Sequence, residues 1–259
     1  MSENGRLMTD ITSATGNLLG NSIEDITGTT WLLGHDLKSP TAIIISTLEM
    51  VIALHEDDED MAHTVRLLKG ALVAARREYN MVCDLLDLAR FELGQYQLEP
   101  ETTNLRELLL KSLEEDSYSI EIKKIRVEVD ISPDDDLITD VDIELIARVF
   151  SALIDNTIKF TVRDDLLKIS VKRIGKIIEI MFMDTGRPIF PEFEQSLIER
   201  APQWENRQAG SRSSVGMGIP FANAVIKAHG GTFSAKSDTA TGFTNFRITL
   251  PVLESELKV

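Results

Sequence analysis

The sequence has a single cysteine, Cys83, among its 259 residues. One thiol cannot form a disulfide within the chain, and it rules out a metal site built from several cysteines. Because the neighbouring residues include Val82, Leu85 and Leu86, we predict that Cys83 is buried and chemically inert.

Long apolar runs and an excess of positive charge are also missing. The longest apolar stretches are short, as at residues 41–46, and fall well below the roughly 20 residues that span a bilayer. The N-terminus has no apolar core of signal-peptide length. The formal net charge of −15 repels phosphate backbones and anionic lipid. We therefore expect no nucleic-acid partner, no direct membrane insertion and a cytoplasmic location.

Apolar residues recur at spacings of three and four in two successive segments. The first, over residues 26–54, includes Leu37, Ile44 and Leu54 and is interrupted by weakly apolar positions, and an acidic run at residues 55–60 follows it. The second keeps the spacing over four heptads and stops before Gly94. Its seam positions are Val65, Leu68, Leu72, Ala75, Tyr79, Val82, Leu86, Ala89 and Leu93.

These two segments predict long helices joined by a short loop, which is an antiparallel hairpin. One hairpin cannot bury both apolar seams well, whereas two hairpins can form a four-helix bundle. We therefore expect a homodimer.

After Gly94 the pattern changes to alternating strands and helices. The order fits an α+β sandwich with helices on one face of a sheet. Strands are predicted at residues 125–131, 166–174, 176–184 and 246–250, and helices at residues 105–120, 142–160 and 219–228. The domains are then a tail or linker (1–24), a helical hairpin (25–95), the sandwich (96–253) and a C-terminal tail (254–259).

His35 lies in the first helical segment, within residues 34–40. At about 100° per residue it lies roughly 200° from Leu33 and Leu37, so we expect it to face solvent. A neutral exposed imidazole can attack phosphorus, and the adjacent Asp36 can orient the ring or accept its proton. Most exposed histidines have no such role, and we assign none to His55 or His63.

The six residues from 35 to 40, HDLKSP, match at every position the phosphoacceptor box of two-component sensor histidine kinases, H-[DE]-[LI]-[RK]-[TS]-P. The resemblance implies that ATP phosphorylates His35 and that the phosphoryl group passes to an aspartate of a response regulator receiver domain. Ser39 stands where family members with phosphatase activity often carry Thr or Asn, which makes it the candidate for that role. An upstream sensor module or protein is a further partner that the family allows.

Residues 149–161 are similar to the Asn box, N-L-L-x-N-A-x-K-[YF]-T, of the ATP-binding fold that histidine kinases share with gyrase, heat-shock chaperones and mismatch-repair ATPases. The resemblance implies that Asn156 coordinates Mg²⁺, that Lys159 neutralises phosphate and that Phe160 lies close to the nucleotide. Steps of three and four put these residues on one helix face, and Mg²⁺ accepts an amide oxygen beside waters and phosphates. The family's earlier asparagine is Ala152 here.

Two glycine motifs complete the resemblance. Residues 184–189, DTGRPI, are similar to D-x-G-x-G-I, which implies that Asp184 accepts a hydrogen bond from the adenine amino group and that Gly186 permits close backbone approach. Pro188 stands where that motif has its second glycine, so the hinge of the ATP lid must differ from the family's. Residues 214–219, SVGMGI, place Gly216 and Gly218 where a helix N-terminus offers N–H groups to phosphate oxygens.

Two further segments lie near these motifs. Polar residues fill the stretch from 192 to 213, between the DTGRPI and SVGMGI motifs. This stretch corresponds to the family's ATP lid, where Arg200, Arg207 or Arg212 could reach the phosphates. Ser214 replaces the first glycine of the third motif. His229, in the sequence HGG at residues 229–231, marks a helix end and receives no catalytic role.

The sequence thus predicts an ATP- and Mg²⁺-dependent protein-histidine kinase. A catalytically weak or inactive homologue that acts as a docking scaffold is the alternative, because Ala152, Pro188 and Ser214 depart from the family patterns. An ATPase of the chaperone or mismatch-repair type is a third reading, but such a protein has no reason to carry the phosphoacceptor box.

Overall fold

The computed structural model describes residues 36–190, 194, 198, 217–238 and 240–253, with only the backbone of Glu92. The chain divides into two compact units, residues 1–93 and residues 94–259. Each unit has its own core.

The first unit is an antiparallel helical hairpin. Helix α1 spans Asp36–His55, a short 3₁₀ turn spans Glu59–Met61, and helix α2 spans Ala62–Glu92. The helices are joined by ion pairs from Lys69 to Glu56 (2.8 Å) and from Arg76 to Glu49 (2.7 Å). Such exposed pairs contribute little stability. They show that the two helices run antiparallel, because the later of the two glutamates pairs with the earlier of the two basic residues.

Helix α1 contacts α2 through a stripe that lies beside the apolar seam given by the spacing. Thr41 and Ile52 are buried, and the positions between them on that stripe, Ile45 and Leu48, are half-buried. The predicted seam lies beside this stripe and is solvent-exposed in the single chain, by 50% at Leu37, 53% at Ile44 and 71% at Leu54. Helix α1 is therefore apolar on two neighbouring stripes, and periodicity alone cannot tell which one meets α2.

The seam predicted for α2 faces inward over most of its length. Its positions from Val65 to Ala89 are buried or half-buried. The helix ends at Glu92, and Gly94 follows with a φ of 64°, a left-handed conformation that suits glycine after a helix. Cys83 is buried, as predicted.

The expectation that no segment has membrane-spanning character is wrong for α1 by length and composition. Its most apolar window has a mean hydropathy of 1.5, and 11% of that window is buried. Within the described part of the chain it is the single helix that meets this test. The second apolar stripe accounts for the high value, and a bundle helix with two packing faces has the same composition.

The second unit is built on a five-stranded mixed sheet in the order β2-β4-β5-β7-β6. Strands β2 and β4 are parallel, and the other neighbours are antiparallel. A separate two-stranded ribbon pairs β1 with β3. The strands are β1 (Glu101–Asn104), β2 (Arg126–Ile131), β3 (Ile138–Val141), β4 (Leu166–Ile174), β5 (Ile177–Asp184), β6 (Thr232–Asp238) and β7 (Phe243–Pro251).

Helices pack on one face of this sheet. They are α3 (Leu105–Glu115), α4 (Ser117–Lys123), α5 (Ile143–Phe160) and α6 (Gly218–Ala228). Alternate residues of the central strands are fully buried, and Phe182 of β5 meets Phe150 of α5 with ring centroids 5.9 Å apart. Burial of these aromatic and branched side chains is the main favourable term for folding this unit.

The sandwich architecture agrees with the sequence prediction, but three strands were not predicted. Strands β1 and β3 have four residues each, and their pairing joins Glu101 to Val141 across a long stretch of chain. Strand β6 buries only Phe233 and Ala235, so its alternation is weak. The helix predicted over residues 105–120 is broken at Asp116, which ends α3 and begins α4.

Candidate nucleotide-binding site

Asp184 is the most deeply buried acid of the candidate site. It is the last residue of β5, and only 2% of it is exposed. The N–H of Gly186 donates to its Oδ1 at 2.9 Å, and the hydroxyl of Thr157 donates to its Oδ2 at 3.4 Å. Burial raises the pKa of Asp184 to about 6, the two hydrogen bonds act in the opposite direction, and the charge of Asp165 raises the pKa slightly further.

Gly186 allows the turn after β5 to lie directly against the end of α5. A Cβ atom at this position would lie 2.8 Å from Asp184 Oδ1 and 2.8 Å from the main-chain oxygen of Phe160. The same Phe160 oxygen accepts a hydrogen bond of 3.1 Å from the N–H of Arg187. A residue with a side chain cannot occupy position 186 without moving one of these groups, which explains the glycine physically.

The last turn of α5 carries the three residues of the predicted Asn box. Asn156 is half-buried, whereas Lys159 and Phe160 are exposed, with the Lys159 Nζ 5.1 Å from the centroid of the Phe160 ring. The helix ends at Phe160, where Thr161 donates through its N–H and its hydroxyl to the Thr157 carbonyl. These side chains therefore lie beside the Asp184 turn, on a helix end whose Thr157 carbonyl accepts hydrogen bonds.

Lys123 of α4 stabilises the same helix end. Its Nζ donates to the carbonyl of Ile158 and, at 2.8 Å, to that of Thr161. A cation at a helix C-terminus interacts favourably with the helix dipole and satisfies otherwise unpaired carbonyls. No local sequence pattern points to Lys123, because its partners are 35 and 38 positions away.

Helices α5 and α6 approach closely and run antiparallel. A Cβ atom on Gly218 would lie 3.2 Å from the Cβ of Ala152, so small residues on both sides permit the contact. One turn farther along α6, the Phe221 ring lies 4.5 Å from the Arg148 guanidinium carbon. Ala152, where the family pattern has asparagine, thus has a packing role, and the N-terminus of α6 lies one turn from Asn156.

His229 fixes the far end of this helix pair. Its Nδ1 lies 2.8 Å from the Val225 carbonyl oxygen, and its Nε2 lies 3.0 Å from the N–H of Asp142. The Asp142 side chain caps α5 by accepting from the Leu145 N–H. An imidazole that donates at Nδ1 and accepts at Nε2 satisfies both bonds, so His229 links the end of α6 to the start of α5.

The structure brings together most of the predicted nucleotide-site residues. Those in the second unit are Asn156, Lys159, Phe160, Asp184, Gly186 and Gly218. Gly216, Ser214 and the three lid arginines lie outside the described residues, as does His35. Asp36 begins α1 in the first unit, and both it and Ser39 are exposed there.

One residue of the site was not identified from the sequence. Thr157 follows Asn156 directly and contacts Asp184, but a threonine within an apolar helix predicts only packing. The one sequence feature that could have pointed to Thr157 is that the family's Asn box pattern has alanine at this position.

The side chains fit a nucleotide with its magnesium better than a metal alone. Within the described ranges no group of three or more His, Cys, Asp or Glu residues could hold a metal ion. A buried acceptor at Asp184, an amide at Asn156 and an ammonium at Lys159 match the base, the metal and the phosphates of such a ligand.

Comparison with known proteins shows what this unit is similar to. Residues 141–254 match the family model described as histidine kinase-, DNA gyrase B-, and HSP90-like ATPase. The sensor protein VanSC of Enterococcus gallinarum is 29% identical over 219 residues, which are 85% of this chain and 59% of that protein. The sensor-like histidine kinase SenX3 of Mycobacterium tuberculosis is 27% identical over 221 residues, 85% of this chain and 52% of that protein. The chain therefore spans between half and three-fifths of these relatives.

Solved structures share the fold. The histidine kinase AdeS of Acinetobacter baumannii superposes with a TM-score of 0.54 at 22% identity, over 85% of this chain and 98% of that one. Full-length ShkA, solved in complex with AMPPNP, superposes with a TM-score of 0.59 at 17% identity, over 86% of this chain and 45% of that one.

Replacing Gly186 by alanine will disturb the site more than the fold. We expect Gly186→Ala to lower the free energy of unfolding by about 1–3 kcal/mol, because the new methyl group overlaps Asp184 and Phe160. The dissociation constant for ADP, measured by calorimetry, should rise about tenfold or more. Gly175→Ala is the control: its φ of 61° makes that change cost about 1 kcal/mol, but it lies at the opposite end of β5, so ADP affinity should stay at the wild-type value. Equal ADP affinities for both variants would contradict the assigned role of Gly186.

The raised pKa of Asp184 predicts a pH-dependent stability. A carboxyl whose pKa is higher in the folded state, about 6 against 3.8, stabilises the fold fully below the lower value and loses that contribution as pH rises through the higher one. In the Asp184→Asn variant this loss is absent. Urea unfolding should find the variant more stable than wild type at about pH 7.5, by about 1–3 kcal/mol, with the difference shrinking by about 1 kcal/mol at about pH 5. A difference independent of pH would show that Asp184 does not titrate in this range.

Proposed function

Because this chain is related to the two-component sensor histidine kinases, we propose that it is an ATP-dependent protein-histidine kinase that phosphorylates His35 and transfers the phosphoryl group to an aspartate of a response regulator. Residues 25–95 then form the dimerisation and phosphotransfer domain, and residues 96–253 form the catalytic domain. Both act in the cytoplasm, where ATP is available. The observation that carries the proposal is the convergence of Asp184, Gly186 and the last turn of α5 at one corner of an ATPase fold, in a chain that also holds the sequence HDLKSP.

Each residue of the site has a chemical task in this proposal. The Asp184 carboxylate accepts a hydrogen bond from the 6-amino group of adenine, and the absence of a side chain at Gly186 lets the base lie against the backbone. Asn156 would hold the magnesium that accompanies the phosphates, and Lys159 offsets phosphate charge. The N–H group at the start of α6, at Gly218, would face the phosphate oxygens, and the family resemblance gives Gly216 the same task.

The phosphoryl step exchanges one bond to phosphorus for another. A ring nitrogen of His35 attacks the γ-phosphorus in line and forms an N–P bond, while the bond from phosphorus to the oxygen bridging to the β-phosphate breaks. ADP leaves with the electron pair of that bond. The proton on the other ring nitrogen can pass to Asp36 or to solvent. Ser39, four residues after His35 in the sequence, is the residue that we assign to dephosphorylation of the partner.

The exposed stripe of α1 supports a homodimer. Leu37, Ile44 and Leu54 lie on it, and Ile43 and Met50 widen it, with 65% and 60% of their surface exposed. A row of large apolar side chains along a helix that already packs on α2 is expected to be covered by another molecule. A second copy of the hairpin would cover it in a four-helix bundle.

A catalytically inactive docking scaffold remains the second candidate function. Pro188 and Ser214 still depart from the family patterns, and Pro188 lacks an N–H beside the nucleotide site. Ala152 departs from them as well, and its Cβ lies 3.2 Å from the place that a Cβ on Gly218 would occupy. The kinase assay below separates the two functions.

Incubation with γ-labelled ATP and Mg²⁺ tests the kinase directly. We expect wild-type protein to take up label that is stable to base and lost in acid, as phosphohistidine is, and His35→Gln to take up none. His55→Gln and His63→Gln should label like wild type, because these histidines flank the hairpin loop. Nucleotide binding without labelling of the wild-type chain would favour the scaffold, and steady ATP turnover unaffected by His35→Gln would favour an ATPase.

A charge on the exposed stripe of α1 should separate the dimer. Ile44→Glu places a carboxylate in the proposed interface, where burying it without a partner costs several kcal/mol, so sedimentation should detect a monomer. Ala53→Glu is the matched control, because 100° per residue places it on the third face of α1, away from both stripes. Its sedimentation should match wild type. A dimeric Ile44→Glu variant would show that the stripe is not the interface.

A further inference from the structure

Thr157 is a buried polar residue that the proposed mechanism leaves without a task. It is fully buried, and it occupies the position after Asn156 where the family pattern has alanine. Its hydroxyl points at the carboxylate proposed to bind the base, with 3.4 Å between Thr157 Oγ1 and Asp184 Oδ2. An alanine side chain cannot make this contact.

The two oxygens of Asp184 are each held by a separate element. Oδ1 accepts from the Gly186 N–H, which belongs to the turn after β5, and Oδ2 accepts from Thr157, which belongs to α5. Rotation of the carboxylate about its last bond would break both contacts. Because Asp184 is almost wholly buried, few waters can replace either donor.

The base that such a group selects depends on its hydrogen-bonding character. An ionised carboxylate only accepts hydrogen bonds, so it pairs with a 6-amino purine and is repelled by the oxygen of a 6-oxo purine. A protonated carboxyl can donate to that oxygen and discriminates less. Burial and the charge of Asp165 both favour the protonated form, whereas donors to the carboxylate favour the ionised form.

We propose that Thr157 is a specificity-determining residue of the nucleotide site, whose hydroxyl aims Asp184 Oδ2 and keeps the carboxylate an acceptor, so that the site takes 6-amino purine nucleotides in preference to 6-oxo purine nucleotides. The proposal rests on the proposed nucleotide function of this corner. Thr157 acts through Asp184, so it contributes to the choice of base and not to phosphoryl transfer itself.

The test compares ADP with inosine diphosphate, whose base carries a 6-oxo group and lacks other exocyclic substituents. Calorimetry on the full chain gives both dissociation constants at about pH 7.5. Thr157→Val keeps the shape and removes the donor, so its affinity for ADP should fall about fivefold to tenfold while that for inosine diphosphate changes little. Thr157→Ser keeps the donor and should retain the wild-type preference. Thr157→Ala supplies a second donor-free variant if valine prevents folding.

Thr139→Val is the matched control. Thr139 is equally buried, and its hydroxyl donates to the Pro251 carbonyl at 2.6 Å in the β3 region, so this variant should keep the wild-type ratio of affinities. An unchanged ratio in folded, donor-free Thr157 variants would overturn the inference and leave the proposed function intact. Failure of the wild-type chain to bind ADP would instead overturn the proposed function, on which the inference rests.

Discussion

The close antiparallel approach of α5 and α6 is the constraint on which the nucleotide-binding unit depends. It is set by three contacts along the pair: Gly218 against Ala152, Phe221 against Arg148, and His229 against the N-terminus of α5. These contacts hold the helix pair at both ends, and the residue numbers of the two helices run in opposite directions through them. The position of the α6 N-terminus relative to Asn156 is therefore fixed partly by a histidine at the distant end of the pair.

A second constraint acts at the end of β5, where a carboxylate is held out of water. The pKa of Asp184 is raised to about 6, which shows that burial outweighs the two hydrogen bonds that favour its charge. This arrangement costs stability near neutral pH, and such costs are common where a protein keeps an acceptor ready for a ligand. Alternate residues of β4, β5 and β7 are fully buried in the surrounding sheet. The stability gained from their burial offsets the cost of burying the Asp184 carboxylate.

The hairpin unit shows how far periodicity can be taken. The spacing of apolar residues correctly predicted two helices, their loop and the inward-facing seam of α2. It did not say which stripe of α1 meets α2, because both stripes are apolar and neighbours on the helix surface. The stripe that it identified is the exposed one, centred on Leu37, Ile44 and Leu54. The spacing of apolar residues therefore identifies an apolar face of a helix, but not what that face contacts.

The sequence by itself determined the class of each unit and predicted the residues of the nucleotide site. Local signals carry that information: apolar periods of two or of three and four, glycine at a helix end, and short motifs whose members are neighbours in the chain. The tertiary structure alone decided the pairing of β1 with β3, the contact of Lys123 with the end of α5 and the hydrogen bond from Thr157 to Asp184. These join residues between 27 and 40 positions apart. No local pattern specifies such contacts, because they follow from how the helices pack on the sheet.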